Sequence, residues 1–522
     1  MNPTQSRLTP AWAADLGDGT YQNPVLYADY SDPDVIRVGD DFYMVSSSFS
    51  HLPGLPILHS KDLVNWSILG HLISTLELPG YDRPQHGKGV WAPSIRYHNG
   101  KFWVFFSTPD EGIFMSTAED PAGEWTPLHM IKEVKGWIDP CPFWDEDGRA
   151  YLVHAFANSR CGIKHKLMLH RMSPDGEELL DDGVLVFDGM EGHPTMEGPK
   201  MYKRRGYYYI FAPAGGVSTG WQTILRSKTI AGPYEDRIVL HQGDSTVNGP
   251  HQGGWVELES GESWFIHFQD RDAFGRIVHL QPVRWEDDWP LMGEDTNGDG
   301  IGEPVLRYKK PKTSTEAAFA VPATSDTFEE AKLGLQWQWQ ANPRAEWFSL
   351  EERPGYLRLH TLPLPEGAAT LYDAPQLLMQ KLPAPSFSAV TRLEFEPKSG
   401  EEAGLIVFGD RYAFLAISGE EQGGYKLSLS IGEARDGDRV ERTEESVRYN
   451  NGTVYLKVSV DERAECRFSY SLEGERYIPI GSPFRAAKGR WVGAKVGLFA
   501  ADRNQTGPSG HADFNFFTVE KN

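Results

Sequence analysis

The feature that most constrains the fold is a hairpin pattern that occurs five times between residue 31 and about residue 305. Each copy has a polar residue beside Pro or Gly, then an apolar strand, a tight turn and a second strand rich in aromatic residues. Hairpin repeats that start 47 to 60 residues apart are typical of the blades of a β-propeller. The pattern therefore predicts a five-bladed propeller over residues 20–305. The copies begin at Ser31, Trp91, Ile138, Met196 and His251.

The residues that open the repeats are expected to lie close together. The innermost strand of each blade begins near the central axis, so a side chain at that point faces the axial pocket. Three of the openings carry carboxylates, at Asp32, Asp139 and Glu197. The repeat therefore predicts that these three carboxylates surround one pocket.

The rest of the chain has a different pattern. Residues 306–325 are rich in Lys, Pro, Thr and Ala and are predicted to form a linker. Residues 326–522 contain alternating strands, such as YKLSLSI and TVYLKVSV, separated by Gly, Asp and Asn turns. This spacing favours a jelly-roll β-sandwich. With 53 Gly, 36 Pro and few long helix-forming runs, the whole chain is predicted to be all-β.

Charge narrows the range of partners. The chain has 51 basic and 73 acidic residues, which gives a formal net charge of −22. Such a surface repels nucleic acid phosphates and anionic membranes, so neither is expected as a partner. A neutral oligosaccharide substrate is compatible with this charge. The sequence leaves both a monomer and a homo-oligomer open.

The cysteines and the N-terminus bear on location. The three cysteines (Cys141, Cys161 and Cys466) give neither a disulfide framework nor a zinc spacing, and are expected to be buried free thiols. The N-terminal segment lacks the basic-then-apolar layout of a signal peptide, and no run of about 18 apolar residues follows it. We therefore expect a cytoplasmic protein that acts on imported oligosaccharides, unless a signal segment has been removed.

Three carboxylates around one pocket suit the hydrolysis of a glycosidic bond with inversion. That reaction needs one carboxylic acid to protonate the departing oxygen and one carboxylate to activate water on the opposite face. A third carboxylate nearby raises the pKa of the acid, because like charges resist joint ionisation. Asp-Pro by itself is a common turn dipeptide, so the indication comes from the coincidence of position. Burying three carboxylates together is costly without a functional reason.

Five segments carry a resemblance to a known family: NPVLYADYSDPDVIRVGDDFYMVSSSF (Asn23–Phe49), GLPILHSKDLVNW (Gly54–Trp66), GKGVWAPSIRYHNGKFW (Gly87–Trp103), WIDPCPFWDEDGRAYL (Trp137–Leu152) and MEGPKMYKRRGYYYI (Met196–Ile210). Together they resemble glycoside hydrolase family 43, and the match runs through the whole chain. The resemblance implies a five-bladed propeller with Asp32 as general base, Asp139 as pKa modulator and Glu197 as general acid. These roles agree with the positions of the three residues in the repeats.

The same resemblance implies four substrate-binding residues. Arg276 is implied as a donor to sugar hydroxyls near the acid, and His251 as an axial residue that holds water or an ion. Trp91 and Phe49 are implied as the apolar wall, since the C–H faces of sugars stack on aromatic rings. From the sequence alone each residue also has a structural interpretation, as a solvated charge, a satisfied histidine or a packed ring.

Two residues depart from the pattern of the better-known xylosidases of this family. Where those enzymes tend to read PDPS and FEWFPG, this chain has SDPD and FSHLPG, which introduces Asp34 and His51. The change around His51 is predicted to reshape the rim beyond the cleaved sugar. The choice between xylose and arabinose therefore stays open.

No cofactor is required for this chemistry, but family members with such a sandwich often carry a calcium ion in it. Asp326 and Asp513, near the two ends of the predicted domain, are the candidate ligands. The resemblance therefore raises a structural calcium ion as a candidate without requiring it.

The leading hypothesis is an exo-acting β-D-xylosidase, an α-L-arabinofuranosidase, or one enzyme with both activities, because the two sugars present similar hydroxyl arrangements. An endo-arabinanase is the enzymatic alternative, since the same propeller with an open cleft cuts internal bonds. The added sandwich argues against it, because an extra domain can wall off one end of a cleft. A non-catalytic carbohydrate-binding propeller is the other alternative, and it requires at least one of the three carboxylates to be missing or displaced.

Overall fold

A computed structural model describes residues 10–315, 317–435, 438–504 and 510–522 of the chain. Nearly all of the regular structure in these residues is β. The exceptions are one short α-helix, α1 (Asn158–Cys161), and three 3₁₀ turns, at Asp272–Phe274, Ala345–Trp347 and Leu371–Asp373. None of these helices, within the part of the chain that the structure describes, is long enough to span a bilayer.

Five four-stranded antiparallel sheets confirm the predicted five-bladed propeller. A short strand, β1 (Thr20–Gln22), precedes them. The blades contain β2 (Asp34–Val38), β3 (Asp41–Val45), β4 (Gly54–Ser60) and β5 (Trp66–Ile73); β6 (Trp91–His98), β7 (Lys101–Thr108), β8 (Gly112–Ala118) and β9 (His129–Glu133); β10 (Trp137–Trp144), β11 (Ala150–Phe156), β12 (Lys166–Met172) and β13 (Val184–Asp188); β14 (Lys200–Arg204), β15 (Tyr207–Ala214), β16 (Trp221–Ser227) and β17 (Glu235–Leu240); and β18 (His251–Glu257), β19 (Ser263–Asp270), β20 (Arg276–Glu286) and β21 (Trp289–Met292).

Tight turns set the register of the hairpins. Asn99 and Gly100 join β6 to β7, and both have positive φ angles, 50° and 77°. Two consecutive left-handed residues form the turn whose twist matches that of paired strands, and Asn-Gly is the dipeptide that adopts it most readily. Arg205 and Gly206 repeat this geometry between β14 and β15. These turns therefore fix how β6 pairs with β7 and how β14 pairs with β15.

Three of the inner strands are irregular at that end. The pairing shifts between Trp91 and Ser94 in β6, between Ile138 and Cys141 in β10, and between His251 and Gly253 in β18. Such bulges redirect a side chain and are common next to active sites. The irregular ends of the inner strands therefore form the axial pocket.

The second half of the chain forms two eight-stranded sheets, which confirms the predicted β-sandwich. Within the stretch predicted as a linker, β22 (Arg307–Lys309) pairs with β1 and so remains part of the propeller. The first sheet has the order β23-β27-β37-β29-β30-β31-β32 with β26 beside β37, and the second has the order β24-β25-β38-β28-β33-β34-β35 with β36 beside β34. Their strands are β23 (Gln338–Trp339), β24 (Phe348–Ser349), β25 (Leu357–His360), β26 (Leu362–Pro363), β27 (Leu378–Lys381), β28 (Phe387–Glu394), β29 (Glu401–Phe408), β30 (Arg411–Gly419), β31 (Tyr425–Arg435), β32 (Asp438–Tyr449), β33 (Thr453–Val460), β34 (Glu465–Ser471), β35 (Ile478–Pro479), β36 (Phe484–Arg485), β37 (Lys495–Asp502) and β38 (His511–Lys521).

The sandwich packs directly on the propeller. Leu52 and Trp339 exchange two backbone hydrogen bonds, of 3.0 and 2.6 Å. Tyr27 and Phe274 of the propeller belong to the same buried apolar cluster as the core of the sandwich. Because burial of apolar surface dominates association, a shared core of this kind holds the two halves together. The sandwich is therefore positioned to contribute residues to the axial pocket.

Candidate active site

The axial pocket lies at the N-terminal ends of the inner strands. The structure brings together there all three predicted carboxylates, Asp32, Asp139 and Glu197, with a cavity of about 120 Å³ between them. Phe49, Trp91 and Arg276, the implied wall and donor residues, also line it. Two residues that the sequence did not indicate, Gln252 and Trp491, line it as well.

Asp32 is held by three donors. Its Oδ1 accepts a hydrogen bond from Arg276 at 2.9 Å, and its Oδ2 accepts from the hydroxyls of Ser31 at 2.7 Å and Ser47 at 2.6 Å. A carboxylate offers about four lone-pair positions, so one position is left for a water molecule. The side chain is buried, with 6% of the residue exposed. This environment suits a general base with a fixed orientation.

Arg276 lines the same pocket as Glu197, and its guanidinium pairs with Asp32 and Ser31. Its backbone N–H donates to Asp29 at 2.8 Å. Arg276 therefore orients the base, and it does so from a buried position that is fixed at both ends of the residue.

Glu197 is more open than Asp32. The pocket leaves 32% of its side chain exposed, and Nε2 of His251 lies 2.9 Å from its Oε1. An imidazole nitrogen can donate to a carboxylate or accept from a protonated carboxyl group. His251 can therefore hold Glu197 in both protonation states, which a residue that cycles between acid and conjugate base requires. The structure thus brings His251 to the acid itself.

Asp139 lies beside the acid and is almost fully buried, with 3% exposed. Its Oδ2 accepts a hydrogen bond from the backbone N–H of Gly198 at 2.8 Å. Burial, reinforced by the negative charges of Glu197 and Asp32, raises the pKa of Asp139. The charges of the three carboxyl groups therefore act on one another within this pocket.

Three aromatic rings form the wall of the pocket. The rings of Phe49 and Trp91 lie edge to face with centroids 6.0 Å apart, and those of Trp91 and Trp491 are also 6.0 Å apart. The guanidinium of Arg160 lies 5.1 Å from the centroid of Trp91 on this wall. Aromatic faces supply the apolar surface on which a sugar ring stacks.

Trp491 comes from the sandwich, and close backbone packing fixes its loop. The N–H of Gly493 donates to Asp29 at 2.8 Å, and the N–H of Ala494 donates to the carbonyl of Ala273 at 2.7 Å. A Cβ atom on Gly493 would lie 2.6 Å from the backbone nitrogen of Gly275, so glycine alone permits this approach. Nothing local in the sequence indicated Trp491, because its position depends on packing between the two halves of the chain.

Asp34 and His51, the residues that depart from the family pattern, do not line the pocket. Asp34 is fully buried and accepts hydrogen bonds from the N–H of Ile95 at 2.9 Å and from Arg96 at 2.7 Å, so it ties the first two blades together. His51 is buried against the sandwich, where burial and the charges of two lysines hold its pKa well below the usual value. The predicted effect of His51 on the rim has no support in its position.

The structure does not bring Asp326 and Asp513 together as metal ligands. Asp326 accepts from the indole of Trp337 at 2.8 Å and pairs with Phe517, four residues along β38 from Asp513. Both oxygens of Asp513 accept from Arg358, at 2.8 and 2.9 Å. Carboxylates already bound in this way do not fit a calcium site, and the described residues contain no group of three or more His, Cys, Asp or Glu arranged to hold a metal.

A larger cavity, of about 480 Å³, lies at the opposite ends of the inner strands. Its carboxylates are paired with cations: Asp145 and Glu146 lie 2.6 and 2.9 Å from Lys203, and Glu257 lies 3.2 Å from Arg204. None of the three carboxylates that open the repeats lines this cavity. The smaller pocket is therefore the candidate active site.

Comparisons with known proteins agree with this geometry. A family model described as "Glycosyl hydrolases family 43" matches residues 21–290, and one described as "Beta xylosidase C-terminal Concanavalin A-like domain" matches residues 325–520. A putative β-xylosidase of Xylanibacter ruminicola is 45% identical over 94% of this chain and 88% of its own length. A non-reducing end α-L-arabinofuranosidase of Bacteroides ovatus is 30% identical over 97% of this chain and 96% of its own. The crystal structure of a xylan β-1,4-xylosidase from Bacillus halodurans superposes with a TM-score of 0.84 at 27% identity, covering 96% of this chain and all of that one.

The charge coupling at Asp139 gives a pH-dependent prediction. A carboxylate beside the general acid disfavours ionisation of that acid, because like charges repel. The Asp139→Asn substitution removes this neighbouring charge, so the alkaline limb of the kcat/KM profile should move to lower pH. Asp145→Asn, at the opposite end of the propeller, should leave the limb in place. An unchanged limb and normal activity in Asp139→Asn would remove Asp139 from the site.

Proposed function

The chain belongs to glycoside hydrolase family 43, and we propose that it is an exo-acting, inverting glycosidase that releases single xylose or arabinose units from xylan- or arabinan-derived oligosaccharides. The observation that carries this proposal is the pairing of a buried, oriented Asp32 with a more exposed Glu197 across one small pocket. One fixed base and one accessible acid are the two groups that inversion requires.

The residues of the pocket divide the reaction between them. Asp32 removes a proton from water as the water oxygen forms its bond to the anomeric carbon. Glu197 gives its proton to the glycosidic oxygen as the bond between that oxygen and the anomeric carbon breaks. Asp139 modulates the acid through its negative charge, and Arg276 holds the base in a fixed orientation. Exchange with solvent then returns both carboxyls to their starting states.

The size of the pocket supports release of one sugar at a time. Its volume of about 120 Å³ is close to that of a cavity that holds a single benzene ring, about 150 Å³. Trp491 of the sandwich forms part of its wall. An endo-arabinanase needs a cleft open at both ends, which this wall obstructs. A binding protein without catalysis would have at least one of the three carboxylates missing or displaced, whereas all three line this pocket.

Some relatives are named as xylosidases and another as an arabinofuranosidase, which supports xylose and arabinose as the released sugars. The curated relatives include a putative β-xylosidase of Xylanibacter ruminicola, a β-xylosidase of Formosa agariphila and an α-L-arabinofuranosidase of Bacteroides ovatus. The two sugars present similar hydroxyl arrangements to one pocket. The pocket therefore suits either sugar or both.

Parallel assays on an aryl β-D-xyloside and an aryl α-L-arabinofuranoside test the sugar class, and analysis of products from xylo- and arabino-oligosaccharides tests the mode of attack. We expect turnover of at least one aryl substrate and release of monosaccharide from the chain end. Asp32→Asn serves as the inactive control for contaminating enzymes. Release of oligosaccharides from polymeric arabinan, with no monosaccharide, would show an endo enzyme instead.

Leaving groups separate the acid from the base. A natural oligosaccharide leaves poorly without protonation, whereas a nitrophenolate departs largely unaided. Glu197→Gln should therefore lose about 10²–10⁴-fold in kcat on oligosaccharides and much less on the nitrophenyl glycoside. Asp32→Asn should lose activity on both, because water attack needs the base whichever group leaves. Equal losses of the two variants on every substrate, or the reverse pattern, would show that the roles are assigned wrongly.

A further inference from the structure

Gln252 holds a distinctive place in the fifth repeat. Its φ angle is 36°, in the left-handed region, as are those of Asp32 (53°) and Asp139 (58°) at the openings of the first and third repeats. It also lies in the bulge of β18, unpaired between His251 and Gly253. A long side chain in this conformation is costly and persists where the surrounding structure enforces it, most often at functional sites. The fold therefore directs Gln252 into the pocket in the way it directs the two aspartates.

The side-chain amide of Gln252 has an unused donor. The residue is 2% exposed and lines the pocket, and its Nε2 has no hydrogen-bond partner among the described residues. The carboxyls of Asp32, Asp139 and Glu197, by contrast, all have protein partners. A buried amide without a partner lowers stability, so a donor kept in this state is best explained by a ligand that completes it.

Contacts of Gln252 place it on the acid's side of the pocket. It follows His251, the partner of Glu197, in the chain. Its side chain also covers Gly198, the residue after Glu197, so closely that a Cβ atom there would lie 2.7 Å from the carboxamide carbon. Glu197 must reach the oxygen on the anomeric carbon of the sugar. The hydroxyl nearest to that carbon is the one on C2.

We propose that Gln252 is a substrate-binding residue whose amide donates a hydrogen bond to the 2-hydroxyl of the sugar in the pocket. This inference rests on the proposed function and adds a contact that sets specificity within it. Hydrogen bonds to the 2-hydroxyl strengthen as the oxocarbenium-like transition state forms, so the contact contributes to kcat as well as to binding. The enzyme therefore discriminates against sugars that lack this hydroxyl.

The test compares Gln252→Met with wild type on an aryl pentoside that the wild type cleaves and on its 2-deoxy counterpart. Methionine keeps the length of the side chain and removes the amide. Neither residue is β-branched, so both meet a similar energetic cost in the left-handed backbone conformation at position 252. We expect Gln252→Met to lose about tenfold to a hundredfold in kcat/KM on the hydroxylated substrate and little on the 2-deoxy substrate. Thermal melting verifies that the variant is folded.

Gln281→Met is the matched control. Gln281 is a buried glutamine of the same blade whose amide already binds His267 and the N–H of Val305, and it does not line the pocket. Its loss should affect both substrates equally. An equal loss on both substrates in Gln252→Met, or no loss on either, would overturn the proposal while leaving the glycosidase function intact. A wild-type protein that cleaves no pentoside would instead overturn the proposed function and this inference with it.

Discussion

The carboxylate of Asp29 joins the parts of the molecule on which the site depends. Its Oδ1 accepts the backbone N–H of Arg276 and its Oδ2 accepts that of Gly493, both at 2.8 Å. Arg276 in turn orients Asp32, and the loop of Gly493 presents Trp491 to the pocket. The buried carboxylate of Asp29 thus links the general base, Asp32, to the part of the pocket wall that the sandwich provides. Hydrogen bonds to a charged acceptor are about twice as strong as neutral ones, which suits this linking role.

Five residues that line the pocket have unusual backbone geometry. Asp32, Phe49, Asp139, Gln252 and Trp491 all have positive φ angles. Such conformations cost energy and are maintained here by the bulged inner strands and by the close packing of the sandwich. These conformations serve the function, because they direct each of these side chains into the pocket where the sugar is proposed to bind.

The sequence predicted those parts of the molecule that depend on local signals. Turn dipeptides such as Asn99-Gly100 and the repeat of opening carboxylates sufficed for the five blades and for the group of Asp32, Asp139 and Glu197. Contacts between distant segments of the chain could not be predicted from the sequence. The pairing of Arg276 with the base, the burial of His51 under the sandwich and the presence of Trp491 all depend on how the two halves pack. The position of Gln252 at the opening of the fifth repeat could have indicated it. It was missed because an amide is neither an acid nor a base, whereas the carboxylates at the other openings are.

Inversion requires Asp32 to act through water on one face of the sugar while Glu197 acts on the other. Proton NMR of the first sugar released from an aryl glycoside tests this most directly, because the anomeric signals appear before mutarotation mixes the two forms. With these roles, a β-D-xyloside yields α-xylose first, and an α-L-arabinofuranoside yields the β-anomer first. Initial release of the sugar with the configuration of the substrate would require a covalent intermediate on the enzyme and would contradict the roles assigned to both carboxylates.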